Sequence, residues 1–539
     1  MTDHGADLVI RAGAVHTLVP GQAPRRALAV RGDRIMALSP DPNGLDHLVS
    51  ARTTVHDLPG ATVLPAFDDT HTHLIFAAHG AHDVPVHRAR TIPEFLGLIR
   101  QRARTTPEGE WIRTTTNWQE LNLAERRMPT AAELDQATDR HPVLVKRGGH
   151  NDVVNTYALR LAGVTEDTPV PPGGVIGRDA DGSLNGRLID NALPLVERLV
   201  PAQDRARRID ALHLASGWYA ATGIGTVRDC AVSPEDYAVL LAAREAGALS
   251  IRVRALVSAL GMTGRAQVED LLDVMEDWRY NSDPRLGVWG VKFGLDGGLE
   301  AGATEEPYAC DHAFSGMLTW EPDALVEAVE AVVRRGWRVG THSYGDRAVR
   351  ILLDVYERVL DRNPGLPAGT LVMEHGGLAG PGQRARAAAL GIPVTIQQPL
   401  LHDTAEVEEG FWGPERVARL FPARGWLDQG AQVSAGSDFP VGQFGAMRSV
   451  WGMTTRQTVI GVKGAEHAIT YDEALALHTT NAARLCGEEN LRGTLTPGRL
   501  ADLSVWDQDP AHCAGETLRD LSASHTFVGG LLVSSTTAQ

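Results

Sequence analysis

Along this chain, short apolar runs alternate with stretches whose apolar residues recur every three or four positions. The runs read as buried strands and the periodic stretches as amphipathic helices, and their alternation marks a parallel α/β fold. Eight runs carry the strand pattern, at 63–73, 223–229, 251–257, 287–296, 338–342, 370–375, 392–397 and 432–438. Helical periods lie between several of them, as at 322–334. Eight strands with helical returns predict a (β/α)8 TIM barrel.

Two parts of the chain fall outside that pattern. From Asp7 to about Ala61 there are several short β-segments, with turns at Pro20-Gly21 and at Arg31-Gly32-Asp33, and strand-like runs return at 493–506 and 526–533. Residues 1–61 plus 490–539 are therefore expected to form one small β-sandwich from both chain ends, leaving 62–489 for the barrel. The interval between the first two strands, residues 85–205, is far longer than an ordinary βα connection. It reads as an inserted subdomain, a candidate lid or specificity wall.

Composition narrows the class. With 43% hydrophobic and 22% charged residues over 539 positions, the chain reads as a soluble globular protein with room for one large domain and accessory pieces. Its net charge of −16 is spread along the chain rather than blocked, which argues against nucleic-acid or anionic-membrane partners and says little else. No apolar run reaches membrane-spanning length, and the first residues lack a signal-peptide pattern. Cys230, Cys310, Cys486 and Cys513 are scattered with no Cys-x-x-Cys pair, so neither disulfides nor thiolate zinc clusters are expected and a cytoplasmic location fits. We also expect a homo-oligomer, a dimer.

The candidate chemistry sits at strand ends. His71 and His73 close the first strand, and residues two apart on a strand share a face, so both imidazoles can reach one ion. Lys292 lies on the fourth strand, His342 ends the fifth, His375 the sixth and Asp438 the eighth. In a barrel these ends share one rim, where active sites of this fold lie. Together they point to a metal centre, and imidazole and carboxylate donors without thiolates suit zinc, manganese, iron or cobalt. A lysine at a strand end such as Lys292 is normally a snorkelling charge or an ion-pair partner, and spacing alone does not establish the alternative, a carbamate formed with carbon dioxide.

An ordered set of motifs along almost the whole chain resembles the amidohydrolase superfamily, and within it the amidohydrolase-3 group that includes N-substituted formamide deformylases. The set runs through Pro65-Ala66-Phe67-Asp68-Asp69-Thr70-His71-Thr72-His73, Trp118, Gly149-His150-Asn151, Val291-Lys292-Phe293-Gly294-Leu295-Asp296, His342-Ser343-Tyr344-Gly345-Asp346, Glu374-His375 and Gly436-Ser437-Asp438. It departs mildly at Phe439, where the group commonly has Trp, and at Ala66, where Gly is usual. The resemblance implies two divalent ions, taken as zinc, although some relatives work with one. His71, His73 and Asp438 would hold the first and His342 and His375 the second, with carboxylated Lys292 as the bridge. It implies a small-molecule substrate as partner and hydrolysis of a carbon–nitrogen bond by metal-activated water, with Asp438 as the catalytic general base and then acid.

Weaker candidates for substrate contact are His150 and Trp118 in the insertion, Asp296 four residues past Lys292, Tyr344 after His342, and His402 near the seventh strand; Asp346 reads with Tyr344 as support for His342. A linear N-formyl or N-acyl amide leads as substrate. A cyclic-amide hydrolase of the hydantoinase kind is the nearest rival. A deaminase fits less well, because such relatives place a glutamate three residues after the fifth-strand histidine, where this chain has Gly345. A non-catalytic barrel relative should have lost ligand positions, and none of the six is missing.

Overall fold

The structure is a computed structural model and describes residues 5–148, 151–171, 174–280 and 283–536. Eight parallel strands form its central sheet: Phe67–Thr72 (β1), Ile224–Val232 (β2), Arg252–Ser258 (β3), Leu286–Gly294 (β4), Arg338–Ser343 (β5), Leu371–His375 (β6), Val394–Ile396 (β7) and Val433–Ala435 (β8). They pair in chain order, and the backbone N–H groups of Ser437 and Asp438 return from the end of β8 to the His71 carbonyl. The protein is a TIM barrel, with its strands where the apolar runs predict them.

The return helices form for the reasons their sequences suggest. Pro322–Arg334, between β4 and β5, starts with Pro at its first position and buries Leu325, Val326, Val329, Val332 and Val333. Among the described residues no helix is long and apolar enough to cross a membrane.

The first run does not make one strand. Thr54–Pro65 joins a second sheet, of seven strands, in the order Leu531–Ser535, His525–Val528, Leu503–Trp506, Thr54–Pro65, Leu8–Val15, Arg25–Arg31, Arg34–Ser39. The switch falls at Ala66, whose N–H bonds to the Asp502 carbonyl, while the next N–H, of Phe67, bonds to Gly223. One apolar run therefore serves two sheets, which hydrophobicity alone cannot reveal because both sheets bury it. The seven-stranded sheet unites strands from both chain ends around Leu8, Ile10, Leu28, Val30, Val63, Leu503 and Phe527.

Buried charges join the barrel to the segment after it. Arg252 of β3 makes two 2.8 Å bonds to the Asp502 carboxylate, Arg254 donates to Glu488 at 2.6 Å, and Arg492 links Glu488 to Asp68 at the start of β1. Burial alone would push the Glu488 carboxyl up, but the Arg492 and Arg254 charges outweigh it and hold it at about 2. Because the folded value lies below the ordinary 4.5, the stabilisation is complete above that pH and is lost as pH falls towards 2. It amounts to about 3 kcal/mol. Glu488→Gln should thus be clearly less stable than the parent at pH 7 in urea unfolding, and the gap should narrow as pH drops from 4.5 to 2. An equal gap across that range would contradict this origin.

Residues 76–211 together with 439–442 form a second compact unit. Its five-stranded sheet runs Ile112–Arg113, Val143–Arg147, Asn151–Val154, Leu184–Asp190, Gly174–Arg178, over a core that includes Phe95, Ile99, Trp118, Leu134 and Val153. The six strand-end candidates all belong to the first unit.

Candidate metal centre

Strand β1 delivers its two histidines by an irregularity. Asp69 pairs with Val227 and Thr72 with Asp229, so three steps along β1 oppose two along β2. Such a bulge re-aims side chains. Thr70 faces the barrel interior, bonded to Thr395 at 2.6 Å and Ser434 at 3.3 Å, yet His71 also reaches the central cluster. His73 lies one residue beyond the strand. Simple alternation along a strand is thus not what unites the pair.

Donor atoms of His71, His73 and Asp438 all lie within 4.8 Å of one another. His73 Nε2 is 3.0 Å and His71 Nε2 3.4 Å from Asp438 Oδ1, and Lys292 Nζ is 3.3 Å from His71 Nε2. The His375 ring joins the two halves of the group, its centroid 4.5 Å from those of both His71 and His342. All six candidates converge at the strand C-terminal ends.

The backbone is strained to aim two of them. His375 has φ +72° and Asp438 φ +58°. For non-glycine residues this left-handed region costs on the order of 1 kcal/mol each, and such strain concentrates at functional sites. Gly436 lets β8 come close: a Cβ there would stand 2.4 Å from the His71 nitrogen and 2.8 Å from its oxygen. Gly436→Ala must push the Asp438 segment off β1, costing about 2 kcal/mol or more. We expect a lower melting temperature and weaker metal binding together; parent-like metal affinity would contradict the close approach.

The electrostatics suit a divalent cation. Burial pushes His342 down to about 4, with the Lys292 charge adding to the effect, and holds His375 well below its ordinary value; His73 is lowered by the same cause. These imidazoles are neutral at pH 7, the form that ligates metals. Burial works against ionisation of Asp438, but hydrogen bonds from His71 and His73 outweigh it and keep the carboxylate charged. At His71 burial and the Lys292 charge oppose a positive charge, while the Glu374 and Asp438 carboxylates favour one, and the ring is raised above its ordinary value. His375 Nδ1 is buried with no hydrogen-bond partner. A neutral imidazole at His73 and an anionic carboxylate at Asp438, their donor atoms within 4.8 Å of each other and of His71, fit a metal ion, as does the unpartnered Nδ1 of the adjacent His375 ring.

The substrate-contact candidates are placed variously. His150 lies outside the described residues. Trp118 is buried in the second unit against Phe95, its Nε1–H donating to the Lys146 carbonyl at 2.7 Å. Asp296 accepts backbone N–H bonds from Ala303, Tyr344 and Gly345 at 2.9–3.0 Å, tying the loop after β4 to the one after β5, and stands 3.4 Å from His342 Nε2. Burial outweighs those bonds and raises its carboxyl to about 7. The Tyr344 ring stacks 6.2 Å from His342 and meets His375 edge-on at 5.6 Å, while its hydroxyl donates to Glu408 at 2.6 Å. Asp346 begins the next helix and accepts the Glu305 N–H at 2.8 Å. His402 donates from Nδ1 to the Gln457 carbonyl at 2.9 Å.

Two residues given no role from sequence stand directly behind His71. Glu374 Oε2 accepts the His71 Nδ1–H at 2.6 Å, and Arg228 Nη2 donates to Glu374 Oε1 at 2.7 Å. Cys230 also lies near this pair, but a second cation there would meet the Arg228 guanidinium. The available signal was a charged residue inside an apolar barrel strand, which must be paired; one sequence does not say with what.

Comparison with known proteins agrees with this architecture. The chain is 29% identical to the N-substituted formamide deformylase of Arthrobacter pascens over 98% of each chain, and 29% identical to the protein LONG AFTER FAR-RED 3 of Arabidopsis thaliana over 97% of this chain and 91% of that one. It shares its fold with an uncharacterized metal-dependent hydrolase of Pyrococcus horikoshii, at TM-score 0.74 and 23% identity over 94% of this chain and 98% of that one. The model of the family described as "Amidohydrolase family" matches residues 54–534. The chain belongs to the amidohydrolase family and is a metal-dependent hydrolase.

Proposed function

We propose that the centre is binuclear and hydrolyses a linear amide, an N-formyl or N-acyl amine, with the six residues of the barrel rim as its machinery. His71, His73 and Asp438 would hold one divalent ion and His342 and His375 the other, with Lys292, as a carbamate, the ligand shared between the two groups. Zinc is the metal we assign. The observation that carries this reading is the convergence of the donor atoms: His71, His73 and Asp438 within 4.8 Å, with Lys292 and the two further histidines around them. A second feature supports the carbamate. Lys292 is buried, and among the described residues it makes no ion pair with a carboxylate. Carboxylation would replace its positive charge with a negative one and give it two oxygens able to ligate metal.

Bound metal supplies Lewis-acid polarisation of the amide carbonyl and lowers the pKa of a coordinated water. The rest falls to the chain. Asp438, anionic and hydrogen-bonded to His71 and His73, accepts a proton from the attacking water and returns it to the departing nitrogen. Glu374 fixes the ring of His71, and Asp296 holds the two loops beside His342.

A screen of formamides, acyl amines, cyclic imides and esters, run on protein of measured metal content, tests the substrate class. Hydrolysis of formamides or acyl amines well above the others is expected. Rapid turnover of a cyclic imide with linear amides inert would overturn the choice.

A further inference from the structure

Glu374 is wholly buried and its carboxylate is shared between a cation and a ligand-type imidazole. Oε2 accepts from His71 Nδ1 at 2.6 Å, Oε1 accepts from Arg228 Nη2 at 2.7 Å, and Arg228 Nη1 stands 3.5 Å from Oε2. Arg228 Nη1 also donates to the Thr70 carbonyl at 2.6 Å, so the guanidinium holds both the backbone before His71 and the carboxylate behind its ring. The guanidinium lies 4.1 Å over the Trp289 ring, whose own N–H is tied to the Leu485 carbonyl at 3.2 Å. Room for the carboxylate comes from Gly340 on β5, where a Cβ would stand 2.3 Å from Glu374 Oε1.

This is more apparatus than packing requires. A carboxylate can only accept, so the Nδ1 position of His71 must carry a hydrogen, and Nε2 is the nitrogen left to face Lys292 and Asp438. The negative charge behind the ring makes Nε2 a stronger donor to a cation. The guanidinium holds the carboxylate in place behind the ring, and so fixes the partner that the Nδ1–H meets. Neither Arg228 nor Glu374 is exposed, so neither can touch a substrate.

We propose that Arg228 and Glu374 are positioning residues acting through His71: together they fix which imidazole nitrogen is offered to the metal and how strongly it binds. The proposal rests on the reading of this cluster as the metal centre.

The test is metal affinity, measured by competition of stripped and reloaded protein with a chromophoric zinc chelator, alongside thermal unfolding of the metal-free protein. The parent and His73→Ala come first. A parent that binds no zinc would defeat the metal-centre reading itself, which is a different failure from the one at issue. Glu374→Gln keeps the shape and removes the charge; it should bind zinc about 10- to 100-fold more weakly while remaining folded. Arg228→Lys keeps a charge but loses the two-pronged grip on Glu374 and Thr70, and should show a smaller loss in the same direction. If the residues act as one unit, the double variant should lose little more than Glu374→Gln alone. Parent-like zinc affinity in a folded Glu374→Gln protein overturns the proposal. If that variant does not fold, Arg228→Lys decides in the same way. If neither folds, the pair is a folding element and the proposal is wrong.

Discussion

His73→Ala should fold, lose metal and lose at least about 1,000-fold in turnover, a deficit of roughly 4 kcal/mol in transition-state stabilisation. The fold should survive because His73 sits past the end of β1 and its Nε2 bonds to the Asp438 carboxylate. Turnover should not survive, because the group of donors within 4.8 Å shrinks from three side chains to two. Asp438 is then left with one imidazole partner instead of two. Initial rates on the best amide, metal analysis and thermal melting report the three quantities separately. Full activity in a metal-free His73→Ala protein would sink the mechanism.

Lys292→Arg should fail as badly as Lys292→Ala, each losing most of the activity and much of the metal. Lys292 lies in β4 between Val291 and Phe293, and its Nζ reaches to 3.3 Å from His71 Nε2. Arginine keeps the positive charge and most of the length, so a lysine serving as a plain cation would tolerate the change. A carbamate would not, since a guanidinium cannot take up carbon dioxide to give a two-oxygen ligand. In Lys292→Ala, a small carboxylic acid supplied from solution should restore part of both metal content and rate by filling the vacated place. Lys292→Arg acting on substrate like the parent would remove the bridging role.

The barrel was legible because its strands are buried on both faces and so read as continuous apolar runs, and because helical periods separate them. The switch at Ala66 was not, since the single run at 63–73 is buried partly in one sheet and partly in the other. At the rim, His71, His73, Lys292, His342, His375 and Asp438 stood out as ligand-type residues at strand ends, and the structure brings them together. The way they meet was not readable. The bulge in β1 and the left-handed backbone at His375 and Asp438 are responses to tertiary packing that no local pattern announces. Glu374 and Arg228 went without a role for a related reason: pairing across the barrel joins residues 146 positions apart. Asp296 shows the opposite case, a conspicuous acid beside Lys292 whose oxygens accept three backbone N–H groups.

Metal stoichiometry tests the central claim most directly. Protein prepared with zinc and bicarbonate, then freed of loose metal, should carry close to two ions per chain by plasma mass spectrometry. A variant lacking His71, His73 and Asp438 should have lost at least the ion they are assigned while its barrel stays folded. An unchanged metal-to-protein ratio in that folded variant would contradict the assignment of these residues as the metal centre.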